Sequence, residues 1–158
     1  MQIHQRLIVC LLATELMSCA PKETATVEYA GVSFHLPLGA TFEPDKDPLD
    51  VVTATIHLTD PRLEVHCAIA SELGDQKRIS AMSKAEQDGI VLFDDTTIAG
   101  QECRILGLRI DGDPEKQRLF VNYPRVGLSL SVDAPNAMVL RAALAAIKNL
   151  PVEKSKKR

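Results

Sequence analysis

Apolar and polar residues alternate in several stretches of the chain, and a period of two is typical of strands that bury one face. Residues 51–59 and 63–71 both alternate in this way, and a turn at Asp60-Pro61 separates them. Matching their apolar faces predicts a hairpin, because a slip of one residue would turn every apolar side chain outward. The predicted register contains four cross-strand pairs: Leu58 with Leu63, Ile56 with Val65, His57 with Glu64 and Thr55 with His66.

Further strands and two helices follow from the remaining pattern. Hairpins are predicted at residues 26–29 with 32–36 and at residues 102–110 with 118–123, with shorter strands at 90–93, 97–98 and 126–132. The polar, proline-rich stretch from Pro37 to Asp50 predicts a surface loop. An amphipathic helix is predicted at residues 75–88, and a closing helix runs from the Asp133–Asn136 start signal to Pro151.

The order of these elements predicts an α+β fold. Hairpins are frequent and no alternation of strand and helix is present, which favours an antiparallel sheet over a parallel one. A chain of 158 residues with 46% hydrophobic residues is typical of one globular domain. We therefore expect a single domain with a mainly antiparallel sheet of about six to eight strands packed with helices.

The N-terminal segment has the features of an export signal. Residues 1–6 carry His4 and Arg6 without an acidic residue, and the apolar run at 7–13 is too short to span a membrane. Leu16-Met17-Ser18-Cys19 then resembles the lipobox of bacterial lipoproteins. This resemblance implies that Cys19 carries the lipid (palmitate and related acyl chains), and that Ala20 directs the protein to the outer membrane.

The expected organisation is a signal peptide at 1–18, a lipidated tether at 19–26, the α+β domain at 27–151 and a basic tail at 152–158. Two alternatives to the lipid anchor remain open. Ser18-Cys19-Ala20 also resembles a signal cleavage site that would release a soluble periplasmic protein, and the segment can instead form a buried first helix.

A second resemblance concerns the domain itself. The turn-rich stretch Gly31–Gly39, the step Ile98-Ala99-Gly100 and the closing helix together resemble the PsbP-like superfamily, which includes the DcrB-type lipoproteins. The resemblance implies an α/β/α sandwich, with helices on both faces of the sheet. It also implies a non-catalytic role, since members act as binding modules, assembly factors, secretion chaperones or immunity proteins.

The search for chemistry gives only weak candidates. The G-x-S-x-G, Walker A, G-x-G-x-x-G and H-E-x-x-H motifs are absent, so we expect no catalytic residue and no cofactor. His57, Glu64 and His66 share a polar sheet face and are weak candidates for a metal site. The acidic loop with Asp111, Asp113 and Glu115 resembles a calcium loop, but Lys116 stands where an EF-hand requires glycine.

Two cysteines, Cys67 and Cys103, would remain after export, because Cys10 leaves with the signal and Cys19 is lipidated. They are a possible disulfide in an oxidising periplasm. The alternation of side chains favours two free thiols on opposite sides of the sheet instead.

These observations favour a protein that binds another protein. The formal charge of −3 gives no reason to expect nucleic acid as a partner. The specific hypothesis is an immunity protein that inhibits a periplasmic toxin, as in type VI-like secretion, and the alternatives are a small-ligand carrier, an envelope assembly factor or, remotely, a metal-dependent enzyme. Eight acidic residues are candidates for partner-binding loops: Asp45, Asp47, Asp50, Asp94, Asp95, Asp111, Asp113 and Glu115.

Overall fold

The computed structural model describes residues 24–46, 51–59, 61–69, 88–110 and 113–155. The export segment, most of the predicted helix at 75–88, and Asp47, Asp50 and Asp111 lie outside the described residues.

The described residues form ten strands and one helix. In chain order they are β1 (Ala25–Tyr29), β2 (Val32–Leu36), β3 (Thr41–Pro44), β4 (Val52–Thr59), β5 (Arg62–Ile69), β6 (Ile90–Ile98), β7 (Gln101–Ile110), β8 (Asp113–Tyr123), β9 (Leu128–Ala134), α1 (Ala137–Lys148) and β10 (Val152–Lys154). Seven strands make one sheet in the order β3-β4-β5-β9-β8-β7-β6, and β1-β2-β10 make a second. All pairings are antiparallel, so the molecule is an α+β protein.

The three predicted hairpins are confirmed. The β4–β5 register is the predicted one, with Ile56 opposite Val65 and His57 opposite Glu64. The closing helix also begins where its signal lies, because the Asn136 side chain accepts a hydrogen bond from the Val139 backbone N–H at 3.0 Å. Asn136 is therefore the N-cap residue, because its side chain accepts from a backbone N–H that has no partner within the first helical turn.

Three parts of the fold differ from the sequence prediction. Strand β3 lies inside the stretch from Pro37 to Asp50 that was predicted to be a loop, and it pairs with β4. The two short strands predicted at 90–93 and 97–98 are one continuous strand, β6. Strand β10 continues the packed fold beyond residue 151, since Val152 is fully buried and pairs with Phe34.

The main core lies on one face of the seven-stranded sheet, which we call the core face. Its central side chains, including Leu130, Val121 and Ile56, are completely buried, and α1 packs over β8 and β9. The second sheet joins this core at the β3 end, where the rings of Tyr29 and Phe34 lie 5.3 and 5.2 Å from that of Phe42. In the described part of the chain, no helix is long and apolar enough to cross a membrane.

Tyr123 gives a stability prediction, because its buried hydroxyl has no hydrogen-bond partner among the described residues. A polar group buried without a partner costs about 1–3 kcal/mol, so Tyr123→Phe is expected to raise the free energy of unfolding by about 1 kcal/mol. Urea unfolding followed by circular dichroism measures the change. Tyr29→Phe is the matched control and should not stabilise, because the Tyr29 hydroxyl donates to the Thr53 carbonyl at 3.3 Å. Lower stability in Tyr123→Phe would contradict the prediction.

Candidate functional site

The seven-stranded sheet has a second face, opposite the core face, which we call the outer face. Alternation along each strand places polar side chains there, and the cross-strand register lines them up in rows. One row crosses four strands: Thr55 faces His66, His66 faces Ser131, and Ser131 faces Phe120. The next row contains Thr53, Ala68, Ser129 and Asn122. The centre of the outer face therefore combines small hydroxyl-bearing side chains with the larger His66, Asn122 and Phe120.

These two rows line a half-open cleft of about 500 Å³. Four of the lining side chains carry hydroxyls: Thr53, Thr55, Ser129 and Ser131. The lining also includes His66, Asn122, Phe120, Asp45 and the exposed side chain of Val51. This volume lies within the range of about 300–1,000 Å³ that is usual for small-molecule sites.

Hydrogen bonds within the cleft occupy part of its polar surface. The Ser129 hydroxyl donates to the Asn122 side-chain oxygen at 2.6 Å, and the Thr53 hydroxyl donates to the Asp45 carboxylate. Thr55 Oγ1 lies 3.4 Å from His66 Nδ1. Among the described residues, the Asn122 amide N–H groups and the His66 Nε2 make no hydrogen bond to the protein.

Two ion pairs lie beside the cleft, and in each of them a guanidinium neutralises a carboxylate. The Arg118 guanidinium donates to the Asp133 carboxylate through two nitrogens, and this contact lowers the pKa of Asp133. Arg104 Nε donates to Asp95 at 2.7 Å and likewise lowers the pKa of that carboxyl. A carboxylate with a lowered pKa stays ionised at neutral pH, which suits an ion pair and does not suit a general acid.

The metal candidates come together only in part. His57 Nδ1 lies 3.7 Å from Glu64, and its Nε2 lies 3.4 Å from Glu43 on β3. His66 sits beside Thr55 instead. Within the ranges that the structure describes, no three His, Cys, Asp or Glu side chains form a group that could hold a metal ion.

The acidic candidates do not share one surface. Asp45 follows β3 at one edge of the main sheet, whereas Asp94 and Asp95 lie at the other edge, within β6 and not in a loop as predicted. Seven strands at the usual spacing put these edges about 29 Å apart.

Asp113 and Glu115 begin strand β8, which corrects their predicted loop position. The Asp113 carboxylate accepts from the backbone N–H of Glu115 at 3.0 Å, and this hydrogen bond is the main cause of its lowered pKa. Lys116 Nζ lies 3.4 Å from the same carboxylate. The Asp113 carboxylate therefore makes local contacts that stabilise the first residues of β8.

Strand β6 forms an exposed edge that the sequence pattern did not indicate. Among the described residues it pairs only with β7. The Phe93 side chain on this strand is 51% exposed, and the Arg104 guanidinium lies 5.7 Å from its ring centroid. Val91 is also partly exposed, and Asp94 and Asp95 follow directly. We call residues 91–95 the β6 edge patch.

The two cysteines are free and buried. The predicted placement on opposite sides of the sheet is wrong: Cys67 and Cys103 both belong to the core face, since Cys67 pairs with Leu130 and Cys103 shares its face with the buried Ile105. Strands β9 and β8 lie between them, which separates the cysteines by about 14 Å. The considered disulfide would need a Cα separation below about 7 Å.

The thiols are expected to react slowly in the folded protein. Burial raises the pKa of Cys67 to about 12 and also raises the pKa of Cys103 above its ordinary value. Burial disfavours the thiolate in the folded state only. The free energy of unfolding is therefore undiminished below the ordinary thiol pKa, and it falls as pH rises from that value through the folded pKa. A Cys10→Ser/Cys19→Ser variant should show two thiols to an aromatic disulfide reagent in denaturant and almost none in buffer at pH 8. Absence of both thiols in denaturant without reductant would show that they form a disulfide.

Comparison with known proteins gives no relative: no protein-family model, curated protein or solved structure matches this chain. The structure defines the class as an antiparallel α+β protein with a cleft on one sheet face and an exposed acidic and aromatic edge. The cleft and the edge are therefore the two surfaces from which a function can be inferred.

Proposed function

We propose that this protein is a non-catalytic, lipid-anchored periplasmic protein that binds another protein through the β6 edge patch. The observation that carries the proposal is an edge strand of nine residues that presents a half-exposed phenylalanine beside two aspartates. Unpaired strand edges offer rows of backbone donors and acceptors to a strand from another chain. Exposed aromatic residues supply much of the binding energy at such contacts.

The charges of the patch favour a basic partner over a second copy of the same chain. Antiparallel self-pairing in the register centred on Asp94 would place this carboxylate opposite its own copy, and facing like charges destabilise strand pairs. An extended segment that carries Lys or Arg would instead place its positive charges near Asp94. Asp95 already pairs with Arg104, so Asp94 is the carboxylate available for this contact among the described residues.

The proposed partner is a toxin that acts in the periplasm, which makes the protein an immunity protein. Two expectations from the sequence support this: export with lipid attachment at Cys19, and the resemblance of the domain to PsbP-like proteins with an α/β/α sandwich. An inhibitor of this kind needs a rigid scaffold with one complementary surface. The seven-stranded sheet with its exposed edge meets that requirement.

Affinity capture tests the proposal, with the full-length chain as bait against secreted proteins of the source organism. A partner bound at the β6 edge patch should be recovered by the native protein and reduced at least tenfold by Phe93→Ala or Asp94→Lys. Leu38→Ala is the matched control, because Leu38 is 68% exposed in the turn between β2 and β3, and β3 is the opposite edge of the seven-stranded sheet. Recovery that is equal in all variants, or no recovery at all, would contradict the proposal.

A small-ligand carrier is the second candidate function, and the outer-face cleft is the observation that favours it. Small-molecule sites are usually lined by apolar side chains with a few polar groups. The cleft in the described residues is lined by both polar and apolar groups, and it lies on the opposite face from α1. Its ligand would therefore be held by hydrogen bonds together with apolar contacts.

A further inference from the structure

We propose that the outer-face cleft binds a short neutral oligosaccharide. This inference develops the second candidate function and is independent of the β6 edge patch. It stands on three properties of the cleft: its hydrogen-bonding groups, its lack of positive charge and the position of its strands inside the sheet.

The hydrogen-bonding groups of the cleft match a ligand rich in hydroxyls. Thr55 and Ser131 lie in one row, on either side of His66, and a Ser or Thr hydroxyl both donates and accepts. The Asn122 amide adds two N–H donors, and the His66 ring can donate or accept at Nε2. Sugar hydroxyls have the same dual character, so each can be satisfied in the cleft without placing a charge there.

Charge excludes the most common alternative ligands. Phosphate and carboxylate ligands are usually held by Arg or Lys, and the described residues that line the cleft include neither. The one carboxylate, Asp45, already accepts from the Thr53 hydroxyl. A neutral ligand therefore fits the cleft better than an anion or a strong cation.

The position of the strands argues against a peptide. Strands β4, β5, β9 and β8 are each hydrogen-bonded to a neighbour on both sides, so the floor of the cleft offers no free backbone edge. An extended peptide normally adds to such an edge. Only side chains can recognise a ligand in this cleft. The methyl groups of Thr53, Thr55 and Ala68 lie among the hydroxyls and can contact the C–H groups of a sugar ring.

The test is an NMR titration of the ¹⁵N-labelled full-length chain with N,N′-diacetylchitobiose, maltose and trialanine. We expect saturable shifts with at least one disaccharide, at a Kd of about 1 mM or below, confined to the amides of β4, β5, β8 and β9. Trialanine should give none. No saturable shift with either disaccharide at about 10 mM, shifts away from the cleft, or stronger binding of trialanine would overturn the proposal.

Variants distinguish a real site from a general surface effect. Thr55→Val keeps the shape of the side chain and removes the hydroxyl, so it should weaken saccharide binding at least threefold. Thr26→Val is the matched control, since Thr26 is exposed on β1 in the other sheet. Ser131→Leu should abolish binding, because the larger leucine side chain would occupy the volume of the cleft. Equal affinity in Thr55→Val and the native chain, whether or not Ser131→Leu folds, would overturn the assignment.

Phe93→Ala separates this inference from the protein-binding proposal. It should leave saccharide affinity unchanged while it reduces partner capture. Loss of saccharide binding in Phe93→Ala would contradict the location of the saccharide site in the outer-face cleft.

Discussion

Replacing Cys19 with serine is expected to move the protein from the membrane fraction to the soluble fraction completely. The lipobox-like sequence Leu16-Met17-Ser18-Cys19 predicts acylation of this thiol, and serine cannot form the thioether. One acyl chain anchors a protein only marginally, whereas the several chains of a bacterial lipoprotein hold it durably. Fractionation of cells combined with metabolic labelling by a palmitate analogue measures both consequences.

Cys10→Ser is the control for this experiment, because it removes a thiol from the same segment without changing the lipobox. It should leave membrane fractionation and labelling intact. Unchanged fractionation of Cys19→Ser would refute lipidation at Cys19. A native protein that is already soluble in the periplasm would instead support cleavage after Ala20.

Leu130→Ala is expected to lower the free energy of unfolding by about 3 kcal/mol. Leu130 is completely buried in β9, the middle position of the core face, where it pairs with Cys67 on one side and Val121 on the other. Removing a buried leucine side chain loses its transfer free energy and leaves a cavity, which together cost about 2–5 kcal/mol. Urea unfolding followed by circular dichroism gives the value.

The same substitution at a surface leucine provides the control. Leu38 is 68% exposed in the turn after β2, so Leu38→Ala should change stability by less than about 0.5 kcal/mol. Comparable losses for both variants would show that Leu130 is not at the centre of the core.

Local pattern was sufficient to predict the hairpins. In β4 and β5 only one register buries both apolar sets, and that register is the one observed. The same reasoning located α1, whose Asn136 cap and buried Leu140, Ala143 and Ile147 follow the helical period. In these elements the pattern and the tertiary packing require the same arrangement.

The pattern was ambiguous in β7, and this explains the wrong placement of Cys103. Ile105 and Leu106 are adjacent in sequence, point to opposite faces and are both buried. A strand that buries side chains on both faces does not identify its core face by alternation alone. Leu106 and Leu108 suggested that their own side of β7 is the core face. Ile105 pairs with the buried Val121, however, and Cys103 shares the face of Ile105, so Cys103 belongs to the core face.

The candidate site was harder to predict because it depends on strand order. The His66–Ser131 and Ser131–Phe120 neighbours come from β9 lying between β5 and β8, and no local signal specifies that insertion. The acidic residues were assigned to partner-binding loops from their positions along the chain, which do not show how far apart they lie in the folded sheet. Once the sheet is assembled, Asp45 and Asp94 lie at its two edges.

Strand β10 has a consequence for the order in which an exported chain can fold. Strand β10 completes the small sheet by pairing with β2. This pairing can form only after the chain between residues 36 and 152 has been made. Pairing between distant segments is slow because the intervening chain must first be ordered. If the chain is threaded through a membrane from its N-terminus, Phe34 and Val32 lack this partner until residues 152–154 have also crossed. In such a chain the small sheet would close after the other pairings of β2 are already possible.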